Sequence, residues 1–285
     1  MRRTPLVVVA LLALVGTLGV VAVVRSFSHG IKLSPLGSGC VVSSNGEVTL
    51  DTVQMANAAT ITAVGVRRGM PEQAVVIALA TALQESKLEN RDYGDRDSIG
   101  LFQQRPSQGW GTAEKIKDPR YASDKFYTAL RKIKGWQQMR VTEAAQRVQR
   151  SAFPNAYDKW VDEAKILAHA LTGRATGAVA CTVTGAPALR GAAAAAALTA
   201  GLKLDWGSGL AKSVTDEQAA GLTVAVTDTS AGWRYAHWLV SHASDTGLER
   251  VRFADLEWHA PDGAWQKVTG GGSTDRRMVV AQVFS

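Results

Sequence analysis

The residue with the clearest chemical prospect is Glu85. It closes the run Val75-Val76-Ile77-Ala78-Leu79-Ala80-Thr81-Ala82-Leu83-Gln84-Glu85-Ser86 and is the single acidic residue in it. Burial among apolar neighbours disfavours a charged carboxylate and raises its pKa, which is the state a general acid needs near neutral pH. The same position also suits a salt-bridged glutamate at a helix end, so the residues that follow decide between the two. They are Gly100-Leu101-Phe102-Gln103-Gln104. Gly100 permits close backbone approach, Phe102 anchors the loop, and the amides of Gln103 and Gln104 suit hydroxyl or N-acetyl groups.

Between these stretches lie Asp92, Asp95 and Asp97 in Asn90–Ser98. The run resembles part of a calcium loop but lacks the closing glutamate at the required spacing. It reads instead as a turn in which Asp and Arg bond backbone and each other. Trp110, between Gly109 and Gly111, is either a stacking platform or a core plug. His237, His242 and His259 have neither metal spacing nor a paired nucleophile and read as structural or surface residues. No metal and no cofactor is expected.

The elements that must position Glu85 are helices. Asp51 is placed to cap the first, which ends at Gly69. Pro71 and Glu72 suit the first turn of the Glu85 helix, whose almost wholly apolar or small composition makes it the buried centre of its domain. Asp118-Pro119 opens another, Thr142 caps a short one over 143–150, and Pro154 starts a long one ended by Gly173. No strand is expected between 49 and 181. After Cys181 the character changes: an Ala-rich helix over 191–200, strands at 222–227, 251–254 and 277–284, and a helix over 233–243 make a small α/β or α+β domain. Its Trp233, Trp238, Trp258 and Trp265 are large aromatics that usually fill a core. The fold class is α+β overall: an N-terminal anchor over 1–25, a linker over 26–48, an all-α domain over 49–181 and an accessory domain over 182–285.

The anchor is the uncharged run Leu6–Val24, preceded by Arg2 and Arg3 and followed by Arg25. It is long enough to span a bilayer as a helix. No small-residue cleavage site follows it, which favours an uncleaved single-pass anchor over a cleaved signal. The leading arginines place the N-terminus in the cytoplasm and the bulk of the chain outside. In that compartment the two cysteines, Cys40 and Cys181, read as a disulfide tying together the ends of one domain. The formal net charge is +7, with the excess in the anchor region and first domain. That potential draws the chain toward anionic lipid or wall polymer. No basic helix with interleaved aromatics supports nucleic acid.

With Glu85-Ser86 and Gly100-Leu101-Phe102-Gln103 in hand, residues 55–172 resemble the soluble lytic transglycosylase and goose-type lysozyme superfamily. The runs ALATALQES, GDRDSIGLFQQRPSQGWGT, DPRYAS and VQRSAFPNAYDKW look like an actinobacterial secreted subgroup, and the tail from Gly232-Trp233 is similar to a small domain on actinobacterial wall-associated proteins. The resemblance implies an all-α lysozyme-like fold and cleavage of the glycan strands of peptidoglycan, with Glu85 as acid and then base. Ser86 would orient Glu85 or contact a peptide stem, while Gln103 and the Gly100–Phe102 backbone would line sugar subsites, with Gln104, Trp110, Gln149 and Tyr157 as further contacts. A single carboxylate suffices where the substrate supplies its own nucleophile, whereas ordinary glycosidases need two. For hydrolysis instead, Asp95 or Asp97 would activate water. The family's assisting tyrosine has no counterpart in Ala144–Ser151, which leaves Tyr157 or Tyr121 to approach from elsewhere. The competing reading is a non-catalytic wall-binding or envelope-scaffolding protein that uses the same groove.

Overall fold

Every residue from Ala74 to Leu83 is buried, and the architecture is built outward from that stretch. The computed structural model describes residues 37–150, 155–209, 211–215, 220–268 and 276–285. Helix α1 (Thr52–Arg67) is capped by Asp51, whose Oδ1 accepts from Gln54 N at 2.7 Å while Gln54 Oε1 accepts from Asp51 N at 3.0 Å. This reciprocal box satisfies two otherwise unpaired helix-end donors. Helix α2 (Glu72–Ser86) follows. A short α3 (Ala113–Ile116) leads to α4 (Pro119–Arg131), with Asp118 as cap and Pro119 in the first turn. Helices α5 (Val141–Gln149) and α6 (Val161–Leu171) complete the helical half. Helix α2 packs on α1, α4, α5 and α6, and each buried Val, Ile or Leu along it contributes about 1.5–3 kcal/mol.

Three expectations are corrected in this half. Residues expected to be linker form strands β1 (Gly39–Ser44) and β2 (Gly46–Leu50), and with β3 (Val179–Thr182) they make an antiparallel sheet in the order β2-β1-β3. The half is therefore not all-α. Its serines and glycines resemble a linker, yet Val42, Val48 and Leu50 alternate inward and are buried. Thr142 does not cap α5, which begins at Val141 after Arg140. The last helix begins at Val161, after a 3-10 turn over Asp158–Trp160, and Pro154 lies outside the described residues, as do the Leu6–Val24 run expected as an anchor and the rest of 1–36. Among the described residues no helix is long and apolar enough to cross a membrane.

Cys40 and Cys181 face each other in the β1–β3 register and are disulfide-bonded. The bond joins the start of the helical half to its end, as the sequence reading expects.

Helix α7 (Gly191–Trp206) opens the remainder, followed by β4 (Ala211–Thr215), β5 (Ala220–Ala225), α8 (Thr229–Ser241), a short α9 (Ala243–Thr246), β6 (Leu248–Phe253), β7 (Leu256–His259), β8 (Trp265–Lys267) and β9 (Met278–Val283). The strands form one antiparallel sheet in the order β4-β5-β9-β6-β7-β8. The whole is α+β. Helices α7 and α8 pack on the sheet.

Residues Ser38–Ser285 form one compact unit, and the tryptophans explain part of that. Strand β3 is the sheet edge, so its outer carbonyls need donors. Trp258 Nε1 donates to Cys181 O at 3.1 Å, and Trp265 Nε1 donates to Val179 O at 2.7 Å. His237 is buried beside them: Nδ1 donates to Ala170 O at 2.8 Å and Nε2 accepts from Ala178 N at 2.9 Å. These partners assign the neutral imidazole. Deeper in, Asp205 is fully buried and ties four helices together. Its Oδ2 accepts from Thr60 Oγ1 at 2.9 Å and Trp238 Nε1 at 2.8 Å, and Arg120 pairs with Oδ1 at 2.5 Å.

Candidate functional site

Glu85 sits in the last turn of α2, which ends because Lys87 and Leu88 turn left-handed, each with φ of 62°. That reversal leaves the Glu85 side chain half-buried at the rim of the core. Tyr157, 1% exposed, donates its hydroxyl to Glu85 Oε1 at 2.7 Å. Burial raises the Glu85 pKa above the ordinary carboxylate range, and the hydrogen bonds from Tyr157 and then Gln149 oppose that rise without cancelling it. A carboxyl whose protonated form is favoured by burial is suited to give a proton and take it back.

Gln149 comes from the last residue of α5, and its Nε2 donates to Phe102 O at 2.7 Å. It therefore joins Glu85 to the glycine-aromatic-amide loop. That loop is a tight hairpin. Ile99 N donates to Gln104 O at 3.1 Å, and Gln104 N to Ile99 O at 3.0 Å. Gly100 has φ of +77°, and a Cβ there would come 2.9 Å from Ile116 O. Only glycine fits without strain.

Ser86, Leu101 and Phe102 do not line a cleft. Ser86 is fully buried, and its Oγ donates to Leu101 O at 2.7 Å and shares Ala82 O at 3.1 Å. Phe102 is fully buried and stacks on Phe126 with ring centroids 4.7 Å apart. Their role is to hold the loop against α2. The substrate-contacting role expected for Ser86 is corrected because burial leaves its hydroxyl no access, and the same holds for the side chains of Leu101 and Phe102. Gly100 is likewise buried against Ile116.

What does line the cleft is a mixed acid and amide wall. Glu85, Asp95, Gln103, Gln104, Trp110 and Gln149 enclose about 320 Å³, within the size range of small-ligand sites. Gln103 Nε2 bonds Gly100 O at 3.1 Å and Tyr93 O at 3.3 Å. Gln104 is 1% exposed and gives its Nε2 to Ala122 O at 3.0 Å, while its buried Oε1 has no partner. An acceptor left in that state is destabilising unless a ligand donor reaches it. Trp110 is half-buried, packs on the core and also walls the cleft, so both readings of it hold. Tyr121 donates to Trp110 O at 3.2 Å and is not the tyrosine on Glu85.

The aspartates divide. Asp97 accepts from Arg105 Nε at 2.8 Å, Ser107 N at 2.7 Å and Ser107 Oγ at 2.9 Å, which hold its carboxyl well below the usual range. So tightly bound a carboxylate is a weak base, and Asp97 is set aside as a water activator. Asp92 pairs with Lys117 at 2.7 Å. Asp95 alone of the three lines the cleft. Among the described residues no cluster of three His, Cys, Asp or Glu side chains is arranged to hold a metal.

Arg105, Ser98 and Arg150 also line the cleft and were missed by sequence reasoning. Arg105 has a signal in hindsight, since it follows Gln103-Gln104 directly. Arg150 has none, because its place depends on where α5 ends. No family model and no curated protein matches the sequence.

Proposed function

We propose that this protein cuts the glycan strands of peptidoglycan, acting as a lytic transglycosylase with Glu85 as the general acid and base. The observation that carries the reading is the Glu85 carboxyl itself. It is half-buried, raised in pKa, held by Tyr157 at 2.7 Å and set in a cleft walled by amides and one tryptophan. The motif resemblance supports the same substrate.

In this reading Glu85 protonates the glycosidic oxygen as the C1–O bond of the muramyl residue breaks. The resulting carboxylate takes the proton of the muramyl 6-hydroxyl as that oxygen bonds to C1, giving an anhydro end without water. Tyr157 steadies the carboxylate in the interval, when hydrogen bonding to the charged form matters most. Gln103, half-buried in the cleft wall, would meet an N-acetyl group, and Trp110 would meet the strand beside it. Asp97, spent on Arg105 and Ser107, supplies no second catalytic carboxylate, which leaves Asp95 as the one water activator a hydrolytic route would use. The apolar Leu6–Val24 run would hold the chain at the outer face of the membrane, next to the wall.

The test is incubation of the 38–285 unit with purified sacculi and mass analysis of the soluble products. Anhydromuropeptides from wild type that vanish in Glu85→Gln are expected. Absence of any cleavage across pH 4–8, with sacculus binding retained, would select the wall-binding reading instead.

A further inference from the structure

The Glu85 cleft does not stop at Trp110. A second basin of about 400 Å³ shares Gln108, Trp110, Gln149 and Arg150 with it and runs on between α4 and α5. The two basins differ in charge. The first is balanced, with Glu85 and Asp95 against Arg105 and Arg150, whereas Lys125, Lys132, Arg147 and Arg150 face the second with no acid in its lining, around an apolar floor of Ala129 and Ile133.

The neighbouring acids are already committed. Glu143 pairs with Arg147 at 2.8 Å, and Asp124 pairs with Arg68 on α1. Among the described residues no carboxylate pairs with Lys125, Lys132 or Arg150. Lys132 and Arg150 are exposed on either side of the basin. Four cations, of which only Arg147 pairs with a carboxylate, are more than a neutral sugar chain requires. A concave wall of one sign concentrates counter-charge, and guanidinium and ammonium donors bond carboxylate or phosphate more strongly than neutral groups.

We infer that this second basin binds an anionic branch of the strand cut at Glu85, so that the preferred substrate is glycan still carrying its acidic substituents. The inference rests on the glycan-cleaving reading and adds a substrate class to it. The shared chemistry is a carboxylate or phosphate group, whether from a peptide stem or from a phosphodiester-linked wall polymer. The continuity through Gln149 and Arg150 gives the arrangement its logic, because both residues line the Glu85 cleft and the basin alike.

The experiment uses full-length Glu85→Gln protein, which holds strands without cutting them. Its affinity is measured for three labelled glycan preparations: intact, stripped of phosphodiester polymers by hydrofluoric acid, and further stripped of peptide stems by amidase. The same measurements are made with Lys132→Ala/Arg150→Ala and with Lys125→Gln added to Glu85→Gln. Both alterations lie at the surface of the basin, and unchanged unfolding temperatures verify the fold.

Removing the Lys132 and Arg150 charges is expected to weaken binding to intact strands by about tenfold or more, with the difference shrinking in high salt. A loss that persists after acid stripping identifies the stem carboxylates, and one that disappears identifies the polymer phosphates. Equal affinity of parent and variants for all three preparations overturns the inference while leaving the glycan-cleaving reading in place. Failure of the parent to bind any strand overturns both.

Discussion

Tyr157 donates its hydroxyl to Glu85 Oε1 at 2.7 Å, across a sequence separation of 72 residues. One partner ends α2, and the other sits in the turn before α6. The bond is consequential because two opposite influences meet on one carboxyl. Burial favours the protonated form, and the phenol favours the charged form.

Replacing Tyr157 with Phe removes the influence that lowers the Glu85 pKa and leaves the burial that raises it. The alkaline limb of the cleavage profile, where a general acid loses its proton, should therefore move to higher pH. The rate at the optimum should fall by about 10- to 100-fold, the worth of a hydrogen bond to a charged group. A pH profile of muropeptide release from sacculi checks both, and a limb that does not move would count against the pairing.

Asp205 is fully buried with partners on three other helices. Asp205→Ala strands the Arg120 guanidinium, leaves the Trp238 donor unpaired and leaves Thr60 only its longer contact to His242 Nε2 at 3.4 Å. Destabilisation of about 3–5 kcal/mol is expected for breaking one side of such a pair. Urea unfolding followed by tryptophan fluorescence measures it, with Trp238 close to the lesion.

His237 makes stability depend on pH in a definite direction. Burial pushes its pKa from 6.5 down to about 4, so the folded protein holds it neutral while the unfolded chain protonates it below 6.5. Its contribution is complete above 6.5 and is lost as the pH falls toward 4, in total about 3 kcal/mol. His242, also lowered by burial, acts in the same sense. Comparing urea midpoints of wild type and His237→Gln between pH 7 and 4 isolates the share of His237, since the variant should show the shallower slope.

The Cys40–Cys181 bond spans a sequence separation of 141. Cys40→Ser/Cys181→Ser should lose about 4 kcal/mol in the chain-entropy account. Because the bond ties β1 to β3 and not to α2, Glu85 should keep its contacts. Activity of the folded fraction at low temperature should then survive while the unfolding midpoint drops.

Much of the helical half was legible because its signals are local. The Asp51 cap, the Asp118-Pro119 start and the apolar run into Glu85 each act within a few residues, where side chain and backbone meet whatever the remainder of the chain does. The disulfide was legible because only two cysteines exist to pair. The strands at 39–50 were not: they pair locally as a hairpin, but their Ser and Gly content reads as linker, and the Val179–Thr182 strand that completes the sheet is announced by nothing near them.

The candidate site divides the same way. Residue types alone singled out Glu85 as the candidate acid and Gly100–Gln104 as the loop to consider with it. Tertiary structure decided which side chains face solvent. It turned Ser86 and Phe102 inward as loop supports, committed Asp97 to Arg105, brought Tyr157 to Glu85, and aligned Lys132 with Arg150 beyond Trp110. Those outcomes depend on the directions in which helices α4, α5 and α6 leave their turns, and such directions are set by long-range packing against α2, not by the residues that carry the chemistry.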